Sequence, residues 1–249
     1  MKHVRFAAMA EGFLRETVSA WPTLRSVEGL SMVLTAVLPL AGGTKPVPRS
    51  GFGPRLIYVM GGFGEGARLS TAELYDPQAA SWTQMAAMME PRYGHGCVAL
   101  DGKLYAVGGL GATNQVLDTA EVYDPQADGW QPLAKMSTAR YALGLATVGG
   151  KIYASGGWDG GNLDSVEAYD PQLGSWALVA SMGAKRKSHA SVVLDGKIYA
   201  MGGDGGWGCL ISGTVEMYDP QADSWQRVAS MPQGLTMHMP PQRWVARST

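Results

Sequence analysis

Cysteine, histidine and charge are all scarce in this chain. Of 249 residues two are cysteine, Cys97 and Cys209, and four are histidine. Two cysteines make neither a disulfide framework nor a CxxC-type metal site, so a reducing compartment is expected. Charged residues make up 16 % of the chain, against about 25 % ordinarily. The signs nearly cancel, 20 Lys+Arg against 21 Asp+Glu, which removes any electrostatic reason to seek nucleic acid or an anionic membrane. Long apolar runs are also missing. The stretch from Leu30 to Leu40 is interrupted at Pro39 and falls short of the ~20 residues a spanning helix needs. Lys2 and Arg5 precede the apolar Phe6 to Ala10, but Glu11, Gly12, Arg15 and Glu16 break that run before a secretory core develops. A cytoplasmic protein that touches neither membrane nor nucleic acid is expected.

Glycine, in contrast, is abundant: 34 residues, about twice the usual ~7 % share. Its placement is periodic. Gly61-Gly62, Gly108-Gly109, Gly156-Gly157 and Gly202-Gly203 are separated by 47, 48 and 46 residues. Tyr-Asp-Pro-Gln recurs at Tyr75, Tyr123, Tyr169 and Tyr218, each seven residues before a tryptophan: Trp82, Trp130, Trp176 and Trp225. From each of the first three tryptophans to the next glycine pair is 26 residues. Fixed spacing in one interval and drift in others marks a structural unit that accepts insertions in only some of its loops.

Each unit reads as four short strands. Cys97 to Leu100 is apolar and runs into Asp101-Gly102; Gly149-Gly150 and Asp195-Gly196 occupy matching places, and such pairs supply the positive φ of a two-residue hairpin. The second strand, Lys103 to Val107, Lys151 to Ser155 or Lys197 to Met201, is apolar on both faces and is expected to be covered on both. The third, through Ala120 to Tyr123, stops at Asp-Pro, a turn opener, and the fourth starts near the tryptophan, as in Trp130 to Ala134. Four strands per ~45 residues, each sheet burying its face on the next, is the logic of a β-propeller.

The glycine pair, the tyrosine seven before tryptophan, and an arginine after Met-x-x-x (Met88 to Arg92, Met136 to Arg140, Met182 to Arg186) resemble the Kelch repeat over about residues 55–235. The resemblance implies an all-β, Kelch-type propeller with four recognisable four-stranded blades. Fragments of a fifth are expected on either side, since Kelch rings resemble closed circles of usually five to seven blades. Residues 1–54 are read as an irregular segment with a helix over 3–18 and degenerate blade strands, one ending at Trp21 and the first strand of blade one within 31–38. Residues 236–249 are read as an irregular tail, with Leu235 where the repeat arginine is expected and Pro240-Pro241 beyond. An unclosed ring exposes sheet edges, which favours self-association, a missing partner segment or a truncated chain.

Candidates for chemistry are few. The glycine pairs match no phosphate-binding pattern and are assigned to turns and close packing. The repeated Tyr and Trp residues are assigned to the core, and Glu73, Glu121, Glu167 and Glu216, each two residues before the tyrosine, to a repeated hydrogen bond or salt bridge. His95 and His189 both fall three residues after the repeat arginine, but the matching residue of blade three is Leu143, so neither a metal site nor a cofactor is expected. What remains is the loop set. In Kelch domains the loop between strands two and three and the crossover to the next blade gather at one face, and the resemblance implies that this face binds a partner. It carries over to Arg92, Arg140 and Arg186 as capturers of carboxylates on an acidic peptide, with the competing reading that they tie blades together. Trp158, Asp159, Asp204 and Trp207 join them as off-repeat loop residues, and Lys185 and Lys187 add a small basic cluster.

The expected function is therefore non-enzymatic binding of a protein partner, similar to the substrate receptors of cullin-type ubiquitin ligases. The resemblance covers only the propeller part of such adaptors, since residues 1–54 are unlike a BTB domain or BACK region. The alternatives are a sugar-acid enzyme of the Kelch mutarotase type, using Arg92, Arg140, His95 and His189, or an actin-binding scaffold.

Overall fold

Two kinds of turn set the strand pattern in the computed structural model, which describes residues 33–34, 56–64, 66–206, 211 and 213–232. Strands one and two of each later blade are joined by Asp101-Gly102, Gly149-Gly150 or Asp195-Gly196, with φ of 48° and 76°, 59° and 73°, and 49° and 73°. Two successive positive φ values give the turn whose twist matches that of the flanking strands. Strands three and four are joined by Asp-Pro-Gln turns in which the aspartate accepts a hydrogen bond from the backbone two residues on: Asp76 from Gln78 at 2.8 Å, Asp124 from Gln126 at 2.9 Å, Asp170 from Gln172 at 2.9 Å and Asp219 from Gln221 at 3.0 Å.

The result is four antiparallel four-stranded sheets. Blade one holds β1 (Val33–Leu34), β2 (Ile57–Met60), β5 (Ala72–Asp76) and β6 (Ser81–Gln84), with a small hairpin of β3 (Phe63–Gly64) and β4 (Ala67–Arg68) inserted between β2 and β5. Blade two runs β7 (Gly96–Leu100), β8 (Lys103–Val107), β9 (Ala120–Asp124), β10 (Gly129–Pro132). Blade three runs β11 (Gly144–Val148), β12 (Lys151–Ser155), β13 (Val166–Asp170), β14 (Ser175–Val179). Blade four runs β15 (Ala190–Leu194), β16 (Lys197–Met201), β17 (Val215–Asp219), β18 (Ser224–Val228). The strand within 31–38 is met by β1, which pairs Val33 with Val59 and Leu34 with Tyr58. The helix over 3–18, the strand at Trp21 and the tail beyond Pro232 lie outside the described residues.

The core sits between blades. Towards blade two, blade one presents Tyr58, Met60 and Ala72, which pack on Cys97, Leu104, Ala106 and Tyr123. Blade two presents Val98, Tyr105 and Val107 to Leu145, Ile152, Ala154 and Tyr169 of blade three. Blade three presents Ala146, Tyr153 and Ala168 to Ile198 and Tyr218 of blade four. Within every blade the repeat tyrosine packs on its tryptophan with the rings tilted and their centroids 4.9 to 5.3 Å apart. The Trp130, Trp176 and Trp225 indole N–H groups donate to the carbonyls of Ala86, Ala134 and Ala180 in the preceding crossovers, at 2.9, 3.0 and 2.9 Å. Each tryptophan thus closes the outer rim of one junction while filling it.

The glycine pairs serve the inner end. A Cβ on Gly61, Gly108 or Gly156 would stand 2.6, 2.4 or 2.3 Å from the carbonyl oxygen of Arg92, Arg140 or Arg186, at a φ near +60°. The second glycine donates its N–H to that same carbonyl, at 2.8, 2.7 and 2.8 Å for Gly62, Gly109 and Gly157. Only a residue without a side chain lets the strand end approach the crossover so closely.

Candidate functional site

Among the described residues, one end of the propeller collects the loops between strands two and three and the crossovers. Backbone bridges knit the two sets: Tyr93 with Leu110, Tyr141 with Trp158, and Lys187 with Asp204. The residue after each repeat arginine is thereby fixed beside the loop of the blade it enters.

The arginines themselves lie elsewhere than carboxylate capture requires. Arg92, Arg140 and Arg186 are buried, at 0, 0 and 1 % exposure. Arg92 donates to the carbonyls of Gly108 and Thr119, to the Thr119 hydroxyl, and to Glu121 Oε1 from both Nε and Nη2, at 2.9 to 3.0 Å. Arg186 repeats the set on Gly202, Thr214 and Glu216, and Arg140 on Gly156, Ser165 and Glu167. The expectation that they bind a partner is corrected: apart from Arg140 Nε, which is buried without a hydrogen-bond partner, their donors are spent inside the protein, and they tie each crossover to the blade that follows. The glutamate assignment holds for Glu121, Glu167 and Glu216. At Glu167 burial alone would raise the carboxyl, but bonds from the Ser137 backbone and hydroxyl and from Arg140 hold it below the ordinary carboxylate range. Glu73 has no ion pair among the described residues, and burial raises its carboxyl.

The histidines are interior as well. His95 is 1 % and His189 7 % exposed, and burial, reinforced by Arg92 and Arg186, pushes each down to about 3. Neither ring nitrogen of His95 has a protein partner, while His189 Nε2 lies 3.0 Å from Ser155 Oγ. Ser155 stands where the other blades carry Met60, Val107 and Met201, so the polar pair is a local departure from the repeat. Burial likewise pushes the Cys97 thiol up to about 12, leaving it a packing residue. Among the described residues no three His, Cys, Asp or Glu side chains lie together as metal ligands.

What the loop face does present is aromatic. Phe63, Tyr93 and Tyr141 are half-buried and run in series across blades one to three, with ring centroids 5.9 and 5.8 Å apart. Burial, then the neighbouring Tyr93 hydroxyl, push Tyr141 up to about 12, so it stays a neutral phenol. Arg68 of the inserted hairpin reaches Asn114 of the next loop and leaves its Nε buried without a partner. Sequence reasoning missed this arc, although the Arg-Tyr dipeptides at 92–93 and 140–141 were a legible signal. Beyond the arc lies a groove of about 590 Å³ lined by Trp158, Gly160, Gly161, Asn162, Lys185, Lys187 and Asp204. Lys187 pairs with Asp204 at 3.3 Å, Asn162 donates to the Asp204 carbonyl at 2.8 Å, and Lys185 is exposed. The structure thus brings Trp158, Asp204, Lys185 and Lys187 together. Asp159 is exposed in the turn that follows Trp158, and Trp207 lies outside the described residues.

Comparison with known proteins agrees with the fold. The family profile described as KLHDC2/KLHL20/DRC7 Kelch-repeats domain matches residues 55–248. The chain is similar to an F-box/kelch-repeat protein of Arabidopsis thaliana, 46 % identical over 54 residues, covering 21 % of this chain and 14 % of that protein. It is also similar to Kelch-like ECH-associated protein 1A of Danio rerio, 32 % identical over 107 residues, 43 % of this chain and 18 % of the relative. The alignments thus span less than a fifth of these relatives' length. Among solved structures it is similar in fold to YjhT, with a TM-score of 0.61 at 20 % identity, covering 72 % of this chain and 63 % of that one.

Proposed function

The chain belongs to the Kelch-repeat family, and from that premise we propose that it is a non-enzymatic, cytoplasmic interaction module that binds a protein partner on its loop face. The observation that carries this reading is the half-exposed arc of Phe63, Tyr93 and Tyr141, continued by Trp158, with Arg68, Lys185 and Lys187 around it. Tyr, Trp and Arg on a rigid concave surface are the composition of an interaction hot spot. The partner segment is acidic, met by the exposed Lys185 rather than by the repeat arginines. The part played resembles that of the substrate receptors of cullin-type ubiquitin ligases. Self-association through the outgoing face of blade four, with Val192 and Leu194 exposed, is a second component.

The sugar-acid reading would need Arg92, Arg140, His95 and His189 at a solvent-facing centre, and the burial of all four supports binding instead. The test is a quantitative pull-down from native lysate with light scattering on the same sample. A specific set of proteins is expected to be lost with Tyr93→Ala/Tyr141→Ala and kept with Gln126→Ala at the opposite end. An identical set with both variants would sink the reading, and saturable thermal stabilisation by an acidic sugar, absent with neutral sugars, would favour the enzyme.

A further inference from the structure

The groove between blades three and four has a feature that packing does not explain. Gly161 has no positive φ, and a Cβ built on it meets nothing within 4 Å. Neither backbone conformation nor close approach demands glycine there, in contrast to Gly156 and Gly157 a few residues earlier. The bare Cα instead keeps the groove wall low. The N–H groups of Gly160 and Gly161 donate to no acceptor among the described residues, although the flanking Asp159 N–H and Leu163 N–H are bonded, to the Gly161 and Gly157 carbonyls at 3.0 and 2.9 Å.

The walls are fixed and chemically distinct. Trp158 is held by bridges to Tyr141 and Asn162. On the other side Lys187 and Asp204 exchange both backbone hydrogen bonds, at 3.0 and 2.9 Å, and their side chains neutralise one another. Lys185 stands beside them, exposed and with no ion pair among the described residues. The groove therefore offers an apolar indole wall, unspent backbone donors and a single free ammonium, in a volume of about 590 Å³ that falls within the range of ligand sites.

We infer that this groove takes an extended acidic peptide segment, with the carboxylate of a glutamate or aspartate on Lys185, its methylene stem along Trp158 and its main-chain carbonyl facing Gly160 and Gly161. The inference rests on the loop-face reading above and names the place where the acidic element of the partner sits. Peptide rather than a free acid is specified because the glycine wall supplies main-chain donors and the indole supplies apolar contact, neither of which an isolated carboxylate uses.

The experiment follows the Trp158 indole and the Gly160 and Gly161 amide resonances of the isotope-labelled full chain. The probe is an acetylated hexaglutamate amide, compared with the hexaglutamine peptide and with free glucuronate. A saturable shift with hexaglutamate only is expected. Affinity should weaken about fivefold or more in Lys185→Glu, in line with loss of one exposed charge pair and its reversal, and be abolished in Gly161→Leu, both variants keeping the wild-type unfolding midpoint. Equal binding of hexaglutamine, equal binding of glucuronate, or unchanged affinity in Lys185→Glu would each overturn the assignment. If Lys185→Glu retains the lysate partners that Tyr93→Ala/Tyr141→Ala loses, the groove assignment fails while the loop-face reading stands.

Discussion

The outgoing faces of the second, third and fourth blades carry the same repeat positions in opposite surroundings. Val98 and Ala146 are sealed against the next blade at 9 and 6 % exposure, whereas Val192, at the matching place on β15, is 45 % exposed. Tyr105 and Tyr153 are buried against Tyr169 and Tyr218, while Tyr199 is half-exposed. Leu194 of β15 is 57 % exposed, against half-buried Leu100 and Val148. The repeat sets the residue type, and the neighbouring blade sets whether that residue contributes to stability. At the full ~25 cal/mol per Å² of apolar burial, the same side chain stabilises a sealed junction and is an association site on the open face.

The largest expected break of this comparison is at the arginine that enters blade four. Arg186→Ala leaves Glu216 buried and without its guanidinium, and is expected to lower stability by about 3 to 5 kcal/mol, read as an early loss of blade four in denaturant unfolding. Lys185→Ala, one residue away but exposed, should leave the midpoint unchanged. Equal effects would show that the arginine does not hold the junction. Next in size is a charge placed on either face. Ala146→Lys forces an ammonium between blades three and four and should cost about 3 kcal/mol or more. Val192→Lys should leave the unfolding midpoint in place and reduce the mass seen by light scattering. If the second variant unfolds as easily as the first, the face of β15 is covered in solution.

The repeat was legible because its signals are local: glycine pairs, Asp-Gly turns and Tyr-Asp-Pro-Gln all act within one hairpin. Strand order and the core role of the tyrosines and tryptophans follow directly. The arginines were not assignable in the same way, because whether a guanidinium faces solvent or Glu121, Glu167 and Glu216 depends on a contact 27 to 30 residues away. Glutamate recurred in four blades and arginine before three of them, and that shared period was the available clue. The groove depends on three segments, 158–162, 185–187 and 204–206, meeting across a junction, and no spacing within one repeat encodes such a meeting.

Acid sharpens the comparison further, since the titratable interior belongs to the sealed junctions. His95 and His189 have ordinary values of 6.5 in the unfolded chain and about 3 in the fold. The unfolded state therefore binds more protons between these limits, and stability falls as pH drops below about 6.5. Each histidine contributes about 1.4 kcal/mol per pH unit once its unfolded form is protonated. The lowered Glu167 carboxyl acts in the same direction at still lower pH. His95→Leu should remove one histidine's share of the slope, and at neutral pH should raise stability by about 1 kcal/mol, because it deletes a buried ring without a protein hydrogen bond. Leu143 already fills the equivalent place in blade three at 5 % exposure. A slope unchanged in His95→Leu, measured by denaturant midpoints from pH 7 to 4.5, would mean that the ring is hydrated in the fold.

The smallest effect lies at the outer rim, where the junctions differ from one another. Asp128 accepts hydrogen bonds from the Tyr123 hydroxyl at 2.7 Å and from the Ala86 backbone at 3.0 Å, and Asp223 does the same for Tyr218 and Ala180 at 2.7 and 2.8 Å. Both aspartates sit at positive φ, 43° and 44°, a conformation that aspartate tolerates better than most residues. Blade three has Gly174 there, at φ 64°, so its rim keeps the Trp176 bond to Ala134 but lacks the carboxylate that would also bind the Tyr169 hydroxyl. Gly174→Asp supplies it. Two hydrogen bonds outweigh the modest strain of the left-handed backbone, and a gain of about 0.5 to 1 kcal/mol is expected. The reciprocal variant, Asp223→Gly, should lose a similar amount at the junction of blades three and four. A loss of stability in Gly174→Asp beside a loss in Asp223→Gly would mean that the second and third blades meet at a different rim geometry, and that the junctions are not interchangeable copies.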